Sequence, residues 1–305
     1  MSIQPAATAS APSKGTIFLR RFTSTVVLWT IVISALFSGN KLLSDYFFVV
    51  IMTLLAWLGL REFYAMAQKT KLLCFPAWGL FCGSLLMVGT FLHLQGKLGI
   101  YGTPARVNDF ETSLLIFFVL GMCVRQFLRH EMAQGIAAIS TTLFGLMYVP
   151  WLLNFIQKIN FFPGVEGTWY VLFFILVTKA SDVGAYLLGS LIGKHKMIPR
   201  VSPGKTWEGF AGALLMSTGV SVLFASLAGA HLVGMKIMHA VVLGLVLGSA
   251  AVIGDLIESI FKREAGVKDS GGFFPGIGGI LDLLDSLLFN APLMYLYLRH
   301  ILTHA

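Results

Sequence analysis

The feature that most constrains the fold of this chain is a succession of apolar stretches, each about as long as a bilayer-spanning helix. A helix that crosses the hydrocarbon core needs about 20 mostly apolar residues. Nine stretches of the 305-residue sequence meet this description: 22–39, 46–66, 73–94, 112–129, 135–157, 167–192, 208–230, 237–262 and 279–301. The sequence therefore predicts an all-α, polytopic integral membrane helix bundle with about nine transmembrane helices.

The composition excludes an ordinary soluble domain. Only 12% of the residues are charged, whereas soluble domains carry about 25% charged residues. The formal net charge is +8, but Lys and Arg are spread among the apolar stretches and do not form one long basic face. We therefore expect membrane lipids, and not nucleic acid, to surround the chain.

Three regions follow from the pattern along the chain. Residues 1–20 are mostly small and polar, which predicts a disordered cytoplasmic tail. Residues 21–160 hold the N-terminal transmembrane helices, and residues 161–305 hold a C-terminal region with catalytic features. The apolar run after Arg21 has no small-residue cleavage site and more spans follow it, so we interpret it as a membrane helix and not as a signal peptide.

Lys and Arg are distributed unequally between alternating loops. With the N-terminus inside, the inner set is Lys14, Arg20, Arg21, Arg61, Lys69, Lys71, Arg125, Arg129, Lys194, Lys196, Arg200, Lys205, Lys262, Arg263 and Lys268. The outer set is Lys41, Lys97, Arg106, Lys158, Lys236 and Arg299. Because positive residues concentrate in cytoplasmic loops, this bias predicts a cytoplasmic N-terminus. The segments 193–207 and 263–278 then also face the cytoplasm.

The last four apolar stretches contain an unusual number of carboxylates. They are Asp182, Asp255, Glu258, Asp282 and Asp285. A single acid at the centre of a bilayer costs several kcal/mol, so such residues are expected to serve a function or a polar network. Helical spacing places Asp282 and Asp285 on one face of the last predicted helix. It likewise places Asp255 and Glu258 on one face of the helix before it. Converging carboxylates require a counter-charge, which a hard divalent cation such as Mg²⁺ supplies.

The segments between these helices are basic and rich in glycine. The first runs from Gly193 to Gly209 and the second from Phe261 to Gly279. Glycine lets backbone N–H groups approach an anion, and Lys and Arg neutralise phosphate charge. Gly204-Lys205-Thr206 is not part of a Walker A motif, because Pro199 stands where that motif requires glycine. The residues therefore indicate a site for phosphates and a metal at membrane depth.

Four motifs carry a family resemblance. They are K-x-x-D-x-x-A-Y at Lys179–Tyr186, S-P-x-K-T-x-E-G at Ser202–Gly209, the pair Gly254-Asp255, and the run from Ser259 to Asp285. Over about residues 168–290, in this order, the sequence resembles the phosphatidate cytidylyltransferase family. Two positions depart from the common pattern, because Ile277 replaces a frequent His and Leu283 replaces a frequent Arg.

The resemblance implies transfer of the cytidylyl group of CTP to phosphatidic acid, giving CDP-diacylglycerol and pyrophosphate. It implies catalytic roles for Asp255, Lys262, Arg263, Lys268, Asp282 and Asp285. It implies substrate-binding roles for Ser202, Lys205, Thr206, Ser259, Gly276, Gly278 and Gly279. Mg²⁺ is the expected cofactor, with ligands Asp182, Asp255, Asp282 and Asp285; a second cation stays open.

The sequence is also compatible with several alternative functions. Another metal-dependent membrane lipid phosphotransferase or kinase would also use carboxylates at the cytoplasmic face, and an ion-coupled transporter would use acids near the midplane. The N-terminal helices serve either as a lipid-facing scaffold or as the surface of a homodimer. We expect a multi-pass protein of the inner, cytoplasmic membrane with the active site facing the cytoplasm.

Overall fold

The computed structural model describes residues 14–37, 39–96, 104–129, 134–273 and 278–303. The helices are α1 (Lys14–Phe37), α2 (Lys41–Lys69), α3 (Pro76–Leu94), α4 (Pro104–Phe127), α5 (Gly135–Leu146), α6 (Leu152–Asn160), α7 (Gly167–Ile192), α8 (Trp207–Ala228), α9 (Ile237–Glu264) and α10 (Ile280–Tyr297). A π-helical turn, Met147–Trp151, joins α5 to α6. A 3₁₀ turn, Gly229–His231, follows α8, and a π-helical turn, Leu298–Leu302, extends α10.

The helices confirm the predicted all-α, polytopic membrane fold. Each of the nine predicted apolar stretches falls on a helix, with α5 and α6 forming one continuous stretch. Within the described residues, eight helices are long and apolar enough to cross a membrane, and the apolar segment Val26–Phe37 of α1 is shorter. Helix α1 begins at Lys14, inside the tail predicted for residues 1–20. Residues 1–13 of that tail lie outside the described part.

The π-helical turn between α5 and α6 has a local cause. Pro150 lies inside it, and proline lacks the N–H that would continue the α-helical hydrogen-bond ladder. The π-helical turn contains one more residue than an α-helical turn, and this wider turn accommodates the hydrogen bond that proline cannot donate. The helix thus continues across the predicted span without ending.

Small residues allow α7, α8 and α9 to pack closely. A Cβ atom at Gly184 of α7 would lie within 2.3 Å of the carbonyl oxygen of Gly212 in α8, so this crossing requires glycine. From α8, the Ser217 and Ser221 hydroxyls donate to carbonyl oxygens of α9 at 2.8 and 2.6 Å. Such contacts replace the hydrophobic driving force that is missing between helices in lipid.

Helix α10 connects the two halves of the bundle. Asn290 Nδ2 donates to Thr178 Oγ1 of α7 at 2.8 Å and to the Leu247 carbonyl of α9 at 3.0 Å. On another side, α10 packs against α2 and α6 of the N-terminal half. The division of the chain near residue 160 stays a prediction.

The segment between α7 and α8 forms a small hairpin. Strand β1 (Lys196–Ile198) pairs antiparallel with β2 (Ser202–Thr206), with Lys196 opposite Thr206 and Ile198 opposite Ser202. The sequence indicated only a basic loop here, because strands this short leave no readable alternation. The hairpin lies at the end of the bundle where α9 ends and α10 begins, since residues of all three regions line one cavity.

Candidate active site

A cavity of about 430 Å³ lies between the hairpin and the adjacent ends of α7, α8, α9 and α10. Its volume is within the range of about 300–1,000 Å³ that small-molecule sites occupy. Its lining residues are Asp182, Ala185, Tyr186, Met197, Gly204, Lys205, Thr206, Gly209, Phe210, Val252, Asp255, Lys262, Asp269, Asp282 and Asp285. The structure therefore brings together residues from the polar stripes of three predicted helices and from both basic, glycine-rich segments.

The charges on the cavity wall are unbalanced. Among the described residues, five aspartates and two lysines line it. A polyphosphate would be repelled from such a wall unless a cation compensated the excess of carboxylates. The donor set consists of carboxylate oxygens, which is the set that Mg²⁺ prefers.

Three of the acids lie close enough to share one ion. One carboxylate oxygen from each of Asp255, Glu258 and Asp285 lies within 4.8 Å of the other two. Mg²⁺ holds its oxygen ligands at about 2.1 Å, so ligands on opposite sides of the ion are about 4.2 Å apart. The three oxygens are therefore near enough to surround one ion after small side-chain adjustments.

Glu258 provides a second reason why a cation fits here. Its side chain is fully buried. Its Oε2 forms an ion pair with Lys262 Nζ at 2.5 Å, whereas Oε1 has no hydrogen-bond partner among the described residues. A buried carboxylate oxygen without a partner costs free energy that metal ligation would recover. Asp285 is also buried, with 7% of its surface exposed.

Lys262 stands between two acids of different helices. Its Nζ lies 2.5 Å from Glu258 Oε2, one turn earlier in α9, and 2.7 Å from Asp282 Oδ1 in α10. A single ammonium group therefore joins the end of α9 to the first turn of α10. Lys262 also lines the cavity, so it can reach an anion there.

Asp282 organises the loop in front of α10. Its Oδ2 accepts hydrogen bonds from Gly279 N at 2.7 Å, from Ser270 N at 3.0 Å and from Ser270 Oγ at 2.9 Å. Its Oδ1 accepts from Lys262. These four contacts hold Asp282 to the loop and to Lys262 of α9.

Lys179 of α7 forms polar contacts with α10 beside the cavity. Its Nζ lies 3.2 Å from Asp182 Oδ2, and it donates to Ser286 Oγ and to the Leu283 carbonyl at the same distance. The pairing of Lys179 with Asp182 gives this lysine a structural role. Asp182 itself is partly exposed and lines the cavity, which leaves it available to a ligand.

Comparison with known proteins decides the family. Residues 19–301 match the cytidylyltransferase family. The chain belongs to this family. The match spans nearly all of the chain, including the N-terminal helices in which no motif was found.

Two relatives of this cytidylyltransferase align over most of both chains. The phosphatidate cytidylyltransferase of Haemophilus influenzae is 31% identical over 90% of this chain and 96% of its own. The uncharacterized protein YnbB of Escherichia coli is also 31% identical, over 89% of this chain and 85% of its own. A phosphatidate cytidylyltransferase of Staphylococcus epidermidis is 45% identical, but over only 44% of this chain and 50% of its own.

The structure divides the predicted site residues into those that line the cavity and those that do not. Those on the cavity wall are Asp182, Lys205, Thr206, Asp255, Lys262, Asp282 and Asp285. Thr206 also begins α8, because its hydroxyl accepts a hydrogen bond from Gly209 N at 3.1 Å. Such a bond is the usual contribution of threonine as a helix N-cap.

The other predicted residues surround this wall. Ser259 is buried, and its hydroxyl donates to Asp255 Oδ1 at 3.4 Å. Arg263 and Lys268 are exposed, and Arg263 Nε donates to the Val201 carbonyl of the hairpin turn at 3.2 Å. The rest are Ser202 at the start of β2, and Gly278 and Gly279 immediately before α10. The predicted contacts through Gly276, and the substitution at Ile277, lie outside the described residues.

Two acids of the cytidylyltransferase site were not assigned a role from the sequence. Glu258 shares the acidic stripe with Asp255, three residues away, and this spacing was the available signal. Asp269 follows Lys268 in the glycine-rich loop and lines the cavity. Loop residues have no periodicity that would indicate where they point.

Proposed function

We propose that this cytidylyltransferase transfers the cytidylyl group of CTP to phosphatidic acid, forming CDP-diacylglycerol and pyrophosphate. The observation that carries the proposal is the acid-rich cavity at one end of an apolar helix bundle, lined by the motifs that resemble this enzyme family. The Haemophilus influenzae relative, which is named for this activity and aligns over almost its full length, supports the same reaction.

The reaction requires positioning more than acid–base chemistry. A phosphate oxygen of phosphatidic acid forms a bond to the α-phosphorus of CTP, and the bond from that phosphorus to the bridging oxygen of pyrophosphate breaks. The lipid phosphate has a second pKa of about 6, so it is largely a dianion at neutral pH. A general base is therefore unnecessary, and the residues must bring two anions together and neutralise them.

Asp255, Glu258 and Asp285 fit a divalent cation, and we assign them to Mg²⁺. A bound Mg²⁺ would neutralise the phosphates of CTP and the departing pyrophosphate. Asp182 lies on the same wall and can complete the ligand set or hold a second cation. Asp282, whose oxygens already accept hydrogen bonds, has the role of holding Lys262 and the loop.

The basic side chains of the site fall into two groups, those that line the cavity and those that are exposed outside it. Lys205 and Lys262 line the cavity, where their ammonium groups can contact phosphate oxygens directly. Arg263 and Lys268 are exposed; Arg263 contacts the hairpin turn, and Lys268 immediately precedes Asp269 of the cavity wall. There they can attract CTP or the head group of phosphatidic acid before either enters.

The orientation in the membrane is part of the proposal. The excess of Lys and Arg in one set of loops supports a cytoplasmic N-terminus and an active site that faces the cytoplasm. This arrangement gives CTP direct access in an inner, cytoplasmic membrane. The use of the N-terminal helices as a homodimer surface stays a prediction.

The proposed reaction is tested by following the α- and γ-phosphates of CTP into the products. Purified protein in micelles containing phosphatidic acid is incubated with CTP labelled at the α- or at the γ-phosphate. The proposal expects α-label in a lipid product and γ-label in pyrophosphate, only when phosphatidic acid is present. Transfer of γ-label to lipid would instead show a kinase, and cation flux in liposomes without CTP turnover would show a transporter.

A further inference from the structure

We propose that Glu62, in helix α2 of the N-terminal half, is a positioning residue for the active site. It lies more than two hundred residues before the acids that it serves. It holds the first turn of α10 and the loop before that turn, and thereby sets the place of Asp282 and Asp285. The kinetic part of this inference rests on the proposed function.

The carboxylate of Glu62 caps α10 from another helix. Its Oε1 accepts a hydrogen bond from Ile280 N at 3.1 Å, and its Oε2 accepts one from Leu281 N at 2.8 Å. Both N–H groups belong to the first turn of the helix, where no carbonyl of α10 can accept from them. A negative charge at this end also interacts favourably with the helix dipole.

The same carboxylate holds the glycine-rich loop. Ser270 Oγ lies 3.0 Å from Glu62 Oε2 and 2.9 Å from Asp282 Oδ2. Asp282 in turn pairs with Lys262, and Lys262 pairs with Glu258 of the acidic cluster. A continuous series of polar contacts therefore leads from α2 to the three acids. The N-terminal half contributes directly to the geometry of the site through this series.

Aromatic packing fixes the helix segment that carries Glu62. The next residue, Phe63, is 7% exposed, and its ring contacts Phe261 of α9 at a centroid distance of 6.3 Å. Phe261 immediately precedes Lys262. Tyr148, within the π-helical turn, contacts the rings of both phenylalanines at centroid distances of 6.0 and 5.4 Å. Because these rings pack the segment against α9, the Glu62 carboxylate can define a position for α10.

Alanine substitutions at two neighbouring glycines can separate loss of the Glu62 contact from other effects of changing the loop. A Cβ at Gly271 would lie 2.1 Å from Glu62 Oε1, so an alanine there must displace the carboxylate. A Cβ at Gly272 would have no atom within 4 Å. Gly271→Ala therefore perturbs the Glu62 contact from the opposite side, and Gly272→Ala is its matched control.

The experiment compares Glu62→Gln, Gly271→Ala and Gly272→Ala with the wild-type full-length protein in detergent. Glu62→Gln keeps the size of the side chain but loses the charge and one acceptor oxygen. We expect amide hydrogen exchange at Ile280 and Leu281 to become about tenfold faster in Glu62→Gln, the loss expected for a charge-assisted hydrogen bond. We expect kcat to fall at least about tenfold, because small misplacements are costly, with KM for CTP unchanged. Gly271→Ala should reproduce both changes and Gly272→Ala neither.

Binding of Mn²⁺ alone, followed by electron paramagnetic resonance, reports on the acids without turnover. Glu62→Gln should weaken this binding, because α10 carries Asp285. Two results for Glu62→Gln would overturn the inference. One is amide exchange at Ile280 and Leu281 at the wild-type rate. The other is faster exchange at these amides together with wild-type kcat and wild-type Mn²⁺ affinity.

If the wild-type protein formed no CDP-diacylglycerol, the proposed function would fail by itself. Exchange and Mn²⁺ affinity would then still decide the role of Glu62.

Discussion

Lys205 of the hairpin and Asp255 of α9 form an ion pair with 2.6 Å between Nζ and Oδ2. Lys205 also donates to the Val252 carbonyl at 3.3 Å, one turn earlier in α9. The pair attaches strand β2 to the helix that carries two of the clustered acids. Its lysine lines the cavity, so the same ammonium group compensates Asp255 and can contact a phosphate.

The first prediction concerns this lysine. Lys205→Met should lower kcat/KM for CTP about 100-fold, the usual effect of removing one preorganised donor from a site where charge develops. Lys196→Met is the matched control, because Lys196 is an exposed lysine on the paired strand. Steady-state kinetics at saturating phosphatidic acid measure both. Equal effects of the two substitutions would show that Lys205 contributes only general positive charge.

The second prediction separates the structural and catalytic roles of Lys262. Lys262→Met leaves the buried carboxylate of Glu258 and that of Asp282 without their ammonium partner, and should destabilise the protein by about 3–5 kcal/mol. Adding Glu258→Gln removes one uncompensated charge and should restore much of the stability but no activity. Thermal unfolding in detergent and turnover per folded protein measure the two effects. Recovery of turnover in the double variant would contradict the assignment.

The third prediction concerns a buried ion pair away from the site. Lys158 Nζ of α6 lies 2.6 Å from Glu111 Oε2 of α4, and both side chains are at most 6% exposed. Lys158→Met should destabilise the protein by about 3–5 kcal/mol, mainly because it leaves the buried charge of Glu111 unpaired. The double variant Lys158→Met, Glu111→Gln should be destabilised less, because it removes that charge as well. Turnover per folded protein should stay at the wild-type value. A changed kcat would show that this network communicates with the cavity.

The fourth prediction tests the orientation in the membrane. Lys194, beside the hairpin, and Lys236, before α9, are both exposed and lie at loops predicted to face opposite sides. In a background without Cys74, Cys82 and Cys123, a membrane-impermeant thiol reagent should label Lys236→Cys in intact cells. It should label Lys194→Cys only after the membrane is opened. The reverse pattern would place the active site outside the cytoplasm.

The sequence predicted the helices well because the bilayer imposes a minimum length on apolar stretches. The stretch predicted at 167–192 coincides with α7 at both ends. The hairpin was not foreseen, because its strands of three and five residues are stabilised by the chain around them and not by their own pattern. The start of helix α1 at Lys14 was not foreseen either, because Arg20 and Arg21 separate its first residues from the apolar stretch.

The acids of the site were predictable as a group, but their individual partners were not. Helical spacing placed Asp255 and Glu258 on one face, and the cost of acids in lipid required counter-charges. Which oxygen accepts from which donor depends on how α9 and α10 pack. The contact between Glu62 and Leu281 joins residues 219 positions apart, and no local pattern encodes such a separation. The role of Asp282 as a metal ligand stays a prediction, and its contacts with Ser270, Gly279 and Lys262 could not be foreseen from the sequence.

The dependence of turnover on Mg²⁺ concentration tests the central claim most directly, namely that Asp255, Glu258 and Asp285 form one cation site. Glu258→Gln is compared with Glu264→Gln, an exposed acid near the end of the same helix. The account predicts that Glu258→Gln raises the half-saturating Mg²⁺ concentration at least about tenfold, as loss of metal-site groups usually does, and that Glu264→Gln leaves it unchanged. Identical Mg²⁺ titrations of wild type and both variants would contradict it.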